Sequence, residues 1–353
     1  EEFWFARHLL ACFYYNKRSY GKAIALWQRC VEMSPEFADG WRGLAIHAWN
    51  KQHDYELAAR YLDNAYQLAP QDARLLFERD LLDKLSGVTP EKRLARLENN
   101  LGIALKRDDM TAELLNLWHL TGQADKAADI LATRKFHPWE GGEGKVTSQF
   151  ILNQLLRAWQ HLDAREPQQA SELLHAALHY PENLSEGRLP GQTDNDIWFW
   201  QAVCANAQGD ETEATRCLRL AATGDRTINI HSYYNDQPVD YLFWQGMALR
   251  LLGEQHTAQQ LFSEMKQWAQ EMAKTSIEAD FFAVSQPDLL SLYGDLQQQH
   301  KEKCLMVAML AAAGLGEVAH YESARAELMA INPAWPKAAL FTTVMPFIFN
   351  YVH

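Results

Sequence analysis

Basic residues and long apolar runs are both scarce in this sequence. Lys and Arg total 33 against 45 Asp and Glu, which gives a net charge of −12. Proteins that bind nucleic acid or anionic membranes use a basic face, and the sequence contains no cluster of Lys and Arg. The longest apolar run, residues 304–315, is too short to span a bilayer. We therefore expect neither nucleic acid nor a membrane among the partners.

Cysteine motifs and nucleotide-binding loops are also missing. The five cysteines form no Cys-x-x-Cys pair and lie in helical patterns beside Ala and Leu. This usage is typical of small buried residues in a reduced protein, so we expect a cytoplasmic location. The glycines at 141, 142 and 144 lack the preceding strand and the Lys-Ser/Thr pair of a phosphate-binding loop. We expect no cofactor and no bound metal.

The start of the chain carries neither an initiator methionine nor a signal peptide. It opens with Glu1-Glu2-Phe3-Trp4, which already belongs to a helical pattern. We therefore expect this chain to be a fragment of a longer polypeptide.

The sequence does contain a repeated helical pattern, without convincing strand alternation. Large and small residues recur at fixed spacings before Pro35 and again before Pro70, with one inserted residue in the second turn. In the second unit, Ala45, Ala58 and Ala65 would let helices approach, while larger side chains fill the remaining space. The pattern resembles the tetratricopeptide repeat (TPR), a helix–turn–helix of about 34 residues.

This resemblance implies an all-α, TPR-like helical-repeat solenoid of about eight antiparallel helix pairs in a right-handed superhelix. We predict a single domain over residues 1–353, with clear repeats at 4–70, degenerate repeats at 73–332 and a C-terminal cap at 333–353. Loop insertions are predicted at 136–146, 180–195, 223–239 and 276–288. Insertions in solenoids often lie on the binding face.

Two of these loops carry most of the candidate chemistry. The first begins at Phe136 and combines glycines, carboxylates, a histidine and a tryptophan, while the second begins at Tyr180. The order His-Pro followed by Glu-Gly-Lys in residues 137–145 corresponds to Tyr-Pro followed by Glu-Gly-Arg in residues 180–188. We expect the two loops to lie side by side on one face. Alternatively, each is a connector, with Trp139 packed on the next helix.

Other polar clusters are weaker candidates. His175 and His179 share a helix face, but the zinc-protease pattern needs a Glu beside the first His, so solvated histidines are the better interpretation. Ser232 has no glycine elbow around it and is interpreted as part of a turn. The segment 280–288 is either a contact loop that exposes Asp280 and Asp288 or a turn anchored by neighbouring aromatic residues.

Three segments together resemble a known protein family. They are Phe136-His-Pro-Trp-Glu-Gly-Gly-Glu-Gly-Lys145, Tyr180-Pro-Glu-Asn-Leu-Ser-Glu-Gly-Arg188 with Asn195-Asp196, and Asp280-Phe-Phe-Ala-Val-Ser-Gln-Pro-Asp288. They are similar to the C-terminal TPR region of large bacterial proteins. The resemblance implies an N-terminal domain of unknown function, similar to the β-sandwich of galactose mutarotases, and a link to sugar metabolism. Ser185 departs from the family pattern, which has glycine there.

Two functions remain open at this point. The first is a non-catalytic interaction scaffold that docks another protein or the N-terminal β-sandwich domain of the same polypeptide. The second is a carbohydrate-binding or accessory part of a carbohydrate-active enzyme, with loops 136–145 and 180–188 lining the site. The candidate ligand- or partner-binding residues are His137, Trp139, Glu140, Glu143, Lys145, Asn183, Glu186, Arg188, Asp280 and Asp288. No catalytic residue is assigned, and whether the longer protein is an enzyme stays undecided.

Overall fold

A computed structural model of the protein describes residues 3–228, 237–277 and 290–352. All regular secondary structure in these residues is helical, as the sequence predicts. The α-helices are α1 (Trp4–Asn16), α2 (Tyr20–Met33), α3 (Ala38–His47), α4 (Tyr55–Leu68), α5 (Ala73–Leu85), α6 (Pro90–Asn99), α7 (Leu101–Ala104), α8 (Asp108–Leu120), α9 (Ala124–Thr133), α10 (Lys145–Asp163), α11 (Pro167–Ala177), α12 (Asn195–Ala207), α13 (Glu211–Ala221), α14 (Tyr241–Leu251), α15 (Gln255–Met272), α16 (Leu296–Leu315), α17 (Val318–Ile331) and α18 (Ala338–Val352). None of the described helices is long and apolar enough to cross a membrane.

The chain divides into two compact units. The first comprises Glu1–Thr111 with Ile277–Gln299, and the second comprises Ala112–Ser276 with His300–His353. Within the units, consecutive helices pack in pairs, as in α1 with α2 and α12 with α13. Gly209 and Gly253, in the turns that follow α12 and α14, have positive φ values of 80° and 85°, which glycine adopts at little cost. The arrangement of all repeats in a single domain stays a prediction.

The first unit absorbs the residue inserted in the turn of its second clear repeat. A π-helical turn, Ala48–Gln52, follows α3, and an extra residue is the usual origin of such a turn. Its Trp49 indole N–H donates to the Tyr293 carbonyl at 2.8 Å, and the Asn50 amide donates to the Ser291 carbonyl at 2.7 Å. The insertion therefore provides the contacts that hold a segment 240 or so residues away in sequence.

Helix α5 carries buried carboxylates that pair with arginines from neighbouring helices. Glu78 accepts from Nε of Arg42 at 2.7 Å and from its Nη2 at 2.6 Å. Asp80 accepts from Nε of Arg93 at 3.0 Å and also pairs with its Nη2. The exposed fractions of Asp80 and Arg93 are 1% and 0%. Both charges have therefore lost their contact with water, and each is stabilised by its partner instead.

The core of the second unit is built around close contacts between aromatic rings and glycines. Phe262 of α15 is fully buried and lies against Gly246 of α14 and Gly314 of α16. A Cβ atom at either glycine would overlap the Phe262 ring. Small residues at these two positions therefore allow the three helices to pack around one ring.

Gly246→Ala is expected to lower the free energy of unfolding by about 1–3 kcal/mol, because the added methyl overpacks the core. Urea unfolding followed by circular dichroism measures this change. Gly102→Ala is the matched control, since a Cβ at Gly102 meets nothing within 4 Å. Phe262→Leu in the Gly246→Ala background should recover part of the loss, and a Gly246→Ala protein as stable as the control would contradict the packing argument.

Candidate functional site

The two loops singled out from the sequence meet in the second unit. The Phe136 N–H donates to the Asn183 carbonyl at 2.8 Å, and the Ser185 hydroxyl donates to the Phe136 carbonyl at 2.7 Å. Ser185 has a φ of 59°, a left-handed conformation that usually favours glycine. Serine at this position therefore keeps a glycine-like backbone and adds a hydrogen bond to the other loop.

Glu186 joins the second loop to the start of α10. Its Oε2 accepts from the Gly144 N–H at 2.9 Å and from the Thr147 hydroxyl at 3.2 Å. Gly144 immediately precedes the helix, where free N–H groups and the helix dipole favour a negative charge. The Glu186 carboxylate thus fixes the relative position of the two loops.

Asn183 and Arg188 hold the second loop onto the ends of nearby helices. The Asn183 side-chain amide donates to the carbonyls of Leu131 and Arg134, at 2.8 and 2.7 Å. Nη1 of Arg188 donates to the Leu178 carbonyl at 2.9 Å, and the guanidinium pairs with Asp194. These contacts place both residues in positioning roles, because their polar groups bind the protein's own backbone.

The joined loops form one side of a cavity of about 370 Å³. Of the predicted residues, Trp139, Glu143 and Glu186 line it. The Trp139 indole rests against Gly142, where any Cβ would overlap the ring. Other lining residues include Thr147, Ser148, Ile151, Leu152, Leu155, Tyr180, Gln192, Thr193, Asp196, Gln237, Tyr241, Lys337 and Leu340.

The remaining predicted residues lie elsewhere. His137, Glu140 and Lys145 are exposed on the first loop and do not line the cavity. Asp280 and Asp288 lie outside the described residues. The loops therefore bring together three of the ten predicted residues at the cavity. Asn183 and Arg188 do not line the cavity but hold the second loop in place.

Sequence reasoning missed three further polar residues that line the cavity. Asp196 and Tyr241 have exposed fractions of 2% and 4%, and Lys337 has a side-chain exposure of 29%. The Lys337 ammonium forms an ion pair with Asp240 and lies 5.7 Å from the centroid of the Tyr241 ring. Asp196 belongs to one of the family segments, and this was its only signal in the sequence.

Burial shifts the pKa values of these three residues. It raises the pKa of Asp196 to about 7, with Asp240 adding to the rise and Lys337 opposing it. Burial also raises the pKa of Tyr241 well above its ordinary value, and the nearby Asp196 and Asp194 raise it further. For Lys337, burial lowers the pKa, but Asp240 and Asp196 outweigh it and the net pKa is raised. At neutral pH, Lys337 is therefore a cation and Tyr241 a neutral hydroxyl.

Within the described ranges, no group of three or more His, Cys, Asp or Glu side chains is arranged to hold a metal ion. His175 and His179 are neighbours on α11, with ring centroids 5.3 Å apart.

Comparison with known proteins supports the helical-repeat interpretation. The family model described as "Tetratricopeptide repeat" matches residues 8–73 and 155–225. TPR repeats are thus present, and the all-α, TPR-like fold class predicted from the sequence is confirmed. Among solved structures, one titled "Structure of Naa15/Naa10 bound to HypK-THB" is similar, with a TM-score of 0.40 and 12% sequence identity. The similarity covers 99% of this chain and 52% of the other, so this chain spans about half of that neighbour's length.

Proposed function

We propose that this chain is a non-catalytic interaction module of the cytoplasm, which docks the N-terminal domain of a longer polypeptide or another protein. TPR repeats commonly serve as scaffolds for protein partners, since stacked helices present extended surfaces. The observation that carries the proposal is the outer face of α1. Five large apolar residues around this helix are exposed, at 63% for Phe3, 41% for Phe5, 54% for Leu9, 43% for Leu10 and 53% for Phe13.

The spacing of these residues favours a protein contact. Phe5, Leu9 and Phe13 follow one another at intervals of four, which places them on one side of the helix. A contiguous apolar patch on a helix surface is typical of an interaction surface. A partner that covers this face would remove it from water.

Combining Leu9→Glu with Phe13→Glu is expected to weaken association about tenfold or more, since apolar anchors dominate binding energy. The assay is sedimentation velocity at micromolar concentration, with this chain mixed with the separately expressed N-terminal part of the full-length polypeptide. Leu101→Glu, at a leucine exposed by 37%, is the matched control. If the unsubstituted chains do not associate, the docking proposal fails for that domain.

The cavity favours a second candidate, a carbohydrate-binding or accessory part of a carbohydrate-active enzyme in sugar metabolism. Its volume lies within the range of roughly 300–1,000 Å³ typical of small-molecule sites. Trp139 and Tyr180 contribute aromatic rings, which suit the apolar faces of sugars, and the carboxylates of Glu143 and Glu186 suit their hydroxyls. Because Glu186 is already bound to α10, the proposal is one of binding and not of glycoside hydrolysis.

Calorimetric titration with a panel of mono- and oligosaccharides tests this candidate. Trp139→Ala and Glu143→Gln should each weaken binding about tenfold. Gly142→Ala should act in the same direction because it displaces the Trp139 ring, while Gly102→Ala should have no effect. Binding that is unchanged in all three cavity variants would remove these loops from the site.

A further inference from the structure

The cavity is lined by a carboxyl group, that of Asp196, with only one oxygen hydrogen-bonded within the described fold. In the part of the chain that the structure describes, Oδ1 of Asp196 accepts from the Ile197 N–H at 2.9 Å, and no hydrogen bond reaches Oδ2. The side chain is 2% exposed, yet it lines the cavity. A ligand in the cavity that brings an N–H or O–H group would supply a donor for Oδ2.

The charges around the cavity indicate the sign of the charge on that ligand. Among the described lining residues, the acidic side chains are Glu143, Glu186 and Asp196, and the basic one is Lys337. The Lys337 charge is paired with Asp240, which lies outside the lining. The cavity therefore has an excess of negative charge, which attracts cations and repels anions where water is largely displaced.

We propose that the cavity binds an amino sugar, whose ammonium group pairs with the Asp196 carboxylate and whose ring lies toward the loops. This inference rests on the proposed carbohydrate site and specifies its ligand class. An ammonium group offers three donors and forms a charge-assisted hydrogen bond with a carboxylate. The rings of Tyr180 and Tyr241 line the same space and add a favourable environment for a cation.

The other lining residues fit the rest of such a ligand. Thr147, Ser148, Gln192 and Thr193 supply donors and acceptors for hydroxyl groups. Apolar side chains, among them Ile151, Leu152, Leu155 and Leu340, suit the C–H faces of a sugar ring. A sugar acid would place its carboxylate against the same negative groups and is disfavoured.

Calorimetric titration of the full chain with glucosamine, glucose and glucuronate at pH 7.5 tests the inference. These probes share a ring and differ in charge. We expect glucosamine to bind about tenfold more tightly than glucose, since a charge-assisted bond replaces a neutral one, and glucuronate to bind more weakly than either. Asp196→Asn should remove the preference for glucosamine while glucose binding persists, because asparagine keeps the acceptor for the Ile197 N–H.

The outcomes separate this inference from the proposed function. Equal binding of glucosamine and glucose, or an unchanged preference in Asp196→Asn, would overturn the assignment of the amine to Asp196 and leave a carbohydrate site. Absence of binding by all three sugars would overturn the carbohydrate site itself. Thermal unfolding of Asp196→Asn shows whether the variant is folded, and Glu143→Gln shows whether a carboxylate at the loops accounts for the preference instead. If Glu143→Gln removes the preference for glucosamine and Asp196→Asn does not, the assignment of the amine to Asp196 is also overturned.

Discussion

Replacing Arg93 by methionine is expected to lower the free energy of unfolding by about 3–5 kcal/mol, the largest effect of any single substitution described for this protein. The exposed fraction of Arg93 is 0% and that of its partner Asp80 is 1%. Methionine fills much of the same volume but leaves the Asp80 carboxylate buried without the guanidinium that faces it. The cost therefore arises from the stranded charge more than from lost packing.

Equilibrium urea unfolding at pH 7 measures this effect, and two variants identify its origin. Arg93→Met combined with Asp80→Leu should recover much of the stability, because both charges of this buried pair are then removed. Arg29→Met is the exposed comparison, since Arg29 and its partner Glu32 have side-chain exposures of 50% and 62%, and it should cost less than about 1 kcal/mol. A double variant as unstable as Arg93→Met would contradict the stranded-charge explanation.

Asp196→Asn is expected to have the opposite effect and to raise the free energy of unfolding, by roughly 4 kcal/mol at pH 8. Burial raises the pKa of Asp196 from 3.8 to about 7, so the folded protein holds a proton that the unfolded chain has released. Between these two pKa values the unfolded state binds fewer protons, and the free energy of unfolding falls as pH rises. Asparagine removes this penalty while keeping the shape of the side chain.

The test is a series of urea unfolding curves between pH 4 and pH 8. The gain from Asp196→Asn should be small at pH 4 and should grow by up to about 1.4 kcal/mol per pH unit until it levels off above pH 7. Asp125→Asn, at an aspartate with 89% side-chain exposure, is the control and should show no such trend. A gain that does not depend on pH would contradict the assigned ionisation of Asp196.

A stabilising substitution at a cavity residue bears on the function. Shifted pKa values are concentrated at functional sites, and stabilising substitutions at such sites often reduce function. If Asp196→Asn stabilises the chain and also removes the preference for an amino sugar, both results follow from one buried carboxylate. Neither the docking face on α1 nor the core glycines would produce that pair of effects.

Much of the helical architecture was predictable because it depends on local pattern. The repeated spacing of large and small residues predicted the helices, and small residues such as Ala45 and Ala58, both fully buried, marked close helix contacts. The residue inserted in the turn of the second repeat was also visible in the sequence. Its form as a π-helical turn was not, because that depends on the contacts of Trp49 and Asn50 with residues 291 and 293.

The candidate site was only partly predictable. The similarity of two loops indicated that they belong together, and their hydrogen bonds through Phe136 and Ser185 join them. The roles within the loops did not follow from residue type: Glu186 has the chemistry of a ligand group, but its carboxylate binds the start of α10. Such roles depend on which backbone groups the fold leaves unpaired nearby.

The sequence by itself determined the all-α class, the TPR-like repeats and the two loops, because each of these depends on residues close together in the chain. Only the tertiary structure decided that Asp196, Tyr241 and Lys337, which come from two helices and a turn, line the same cavity. The physical reason is that burial and neighbouring charges set the pKa of Asp196. The residues that bury it and carry those charges are distant in the chain, as Lys337 is.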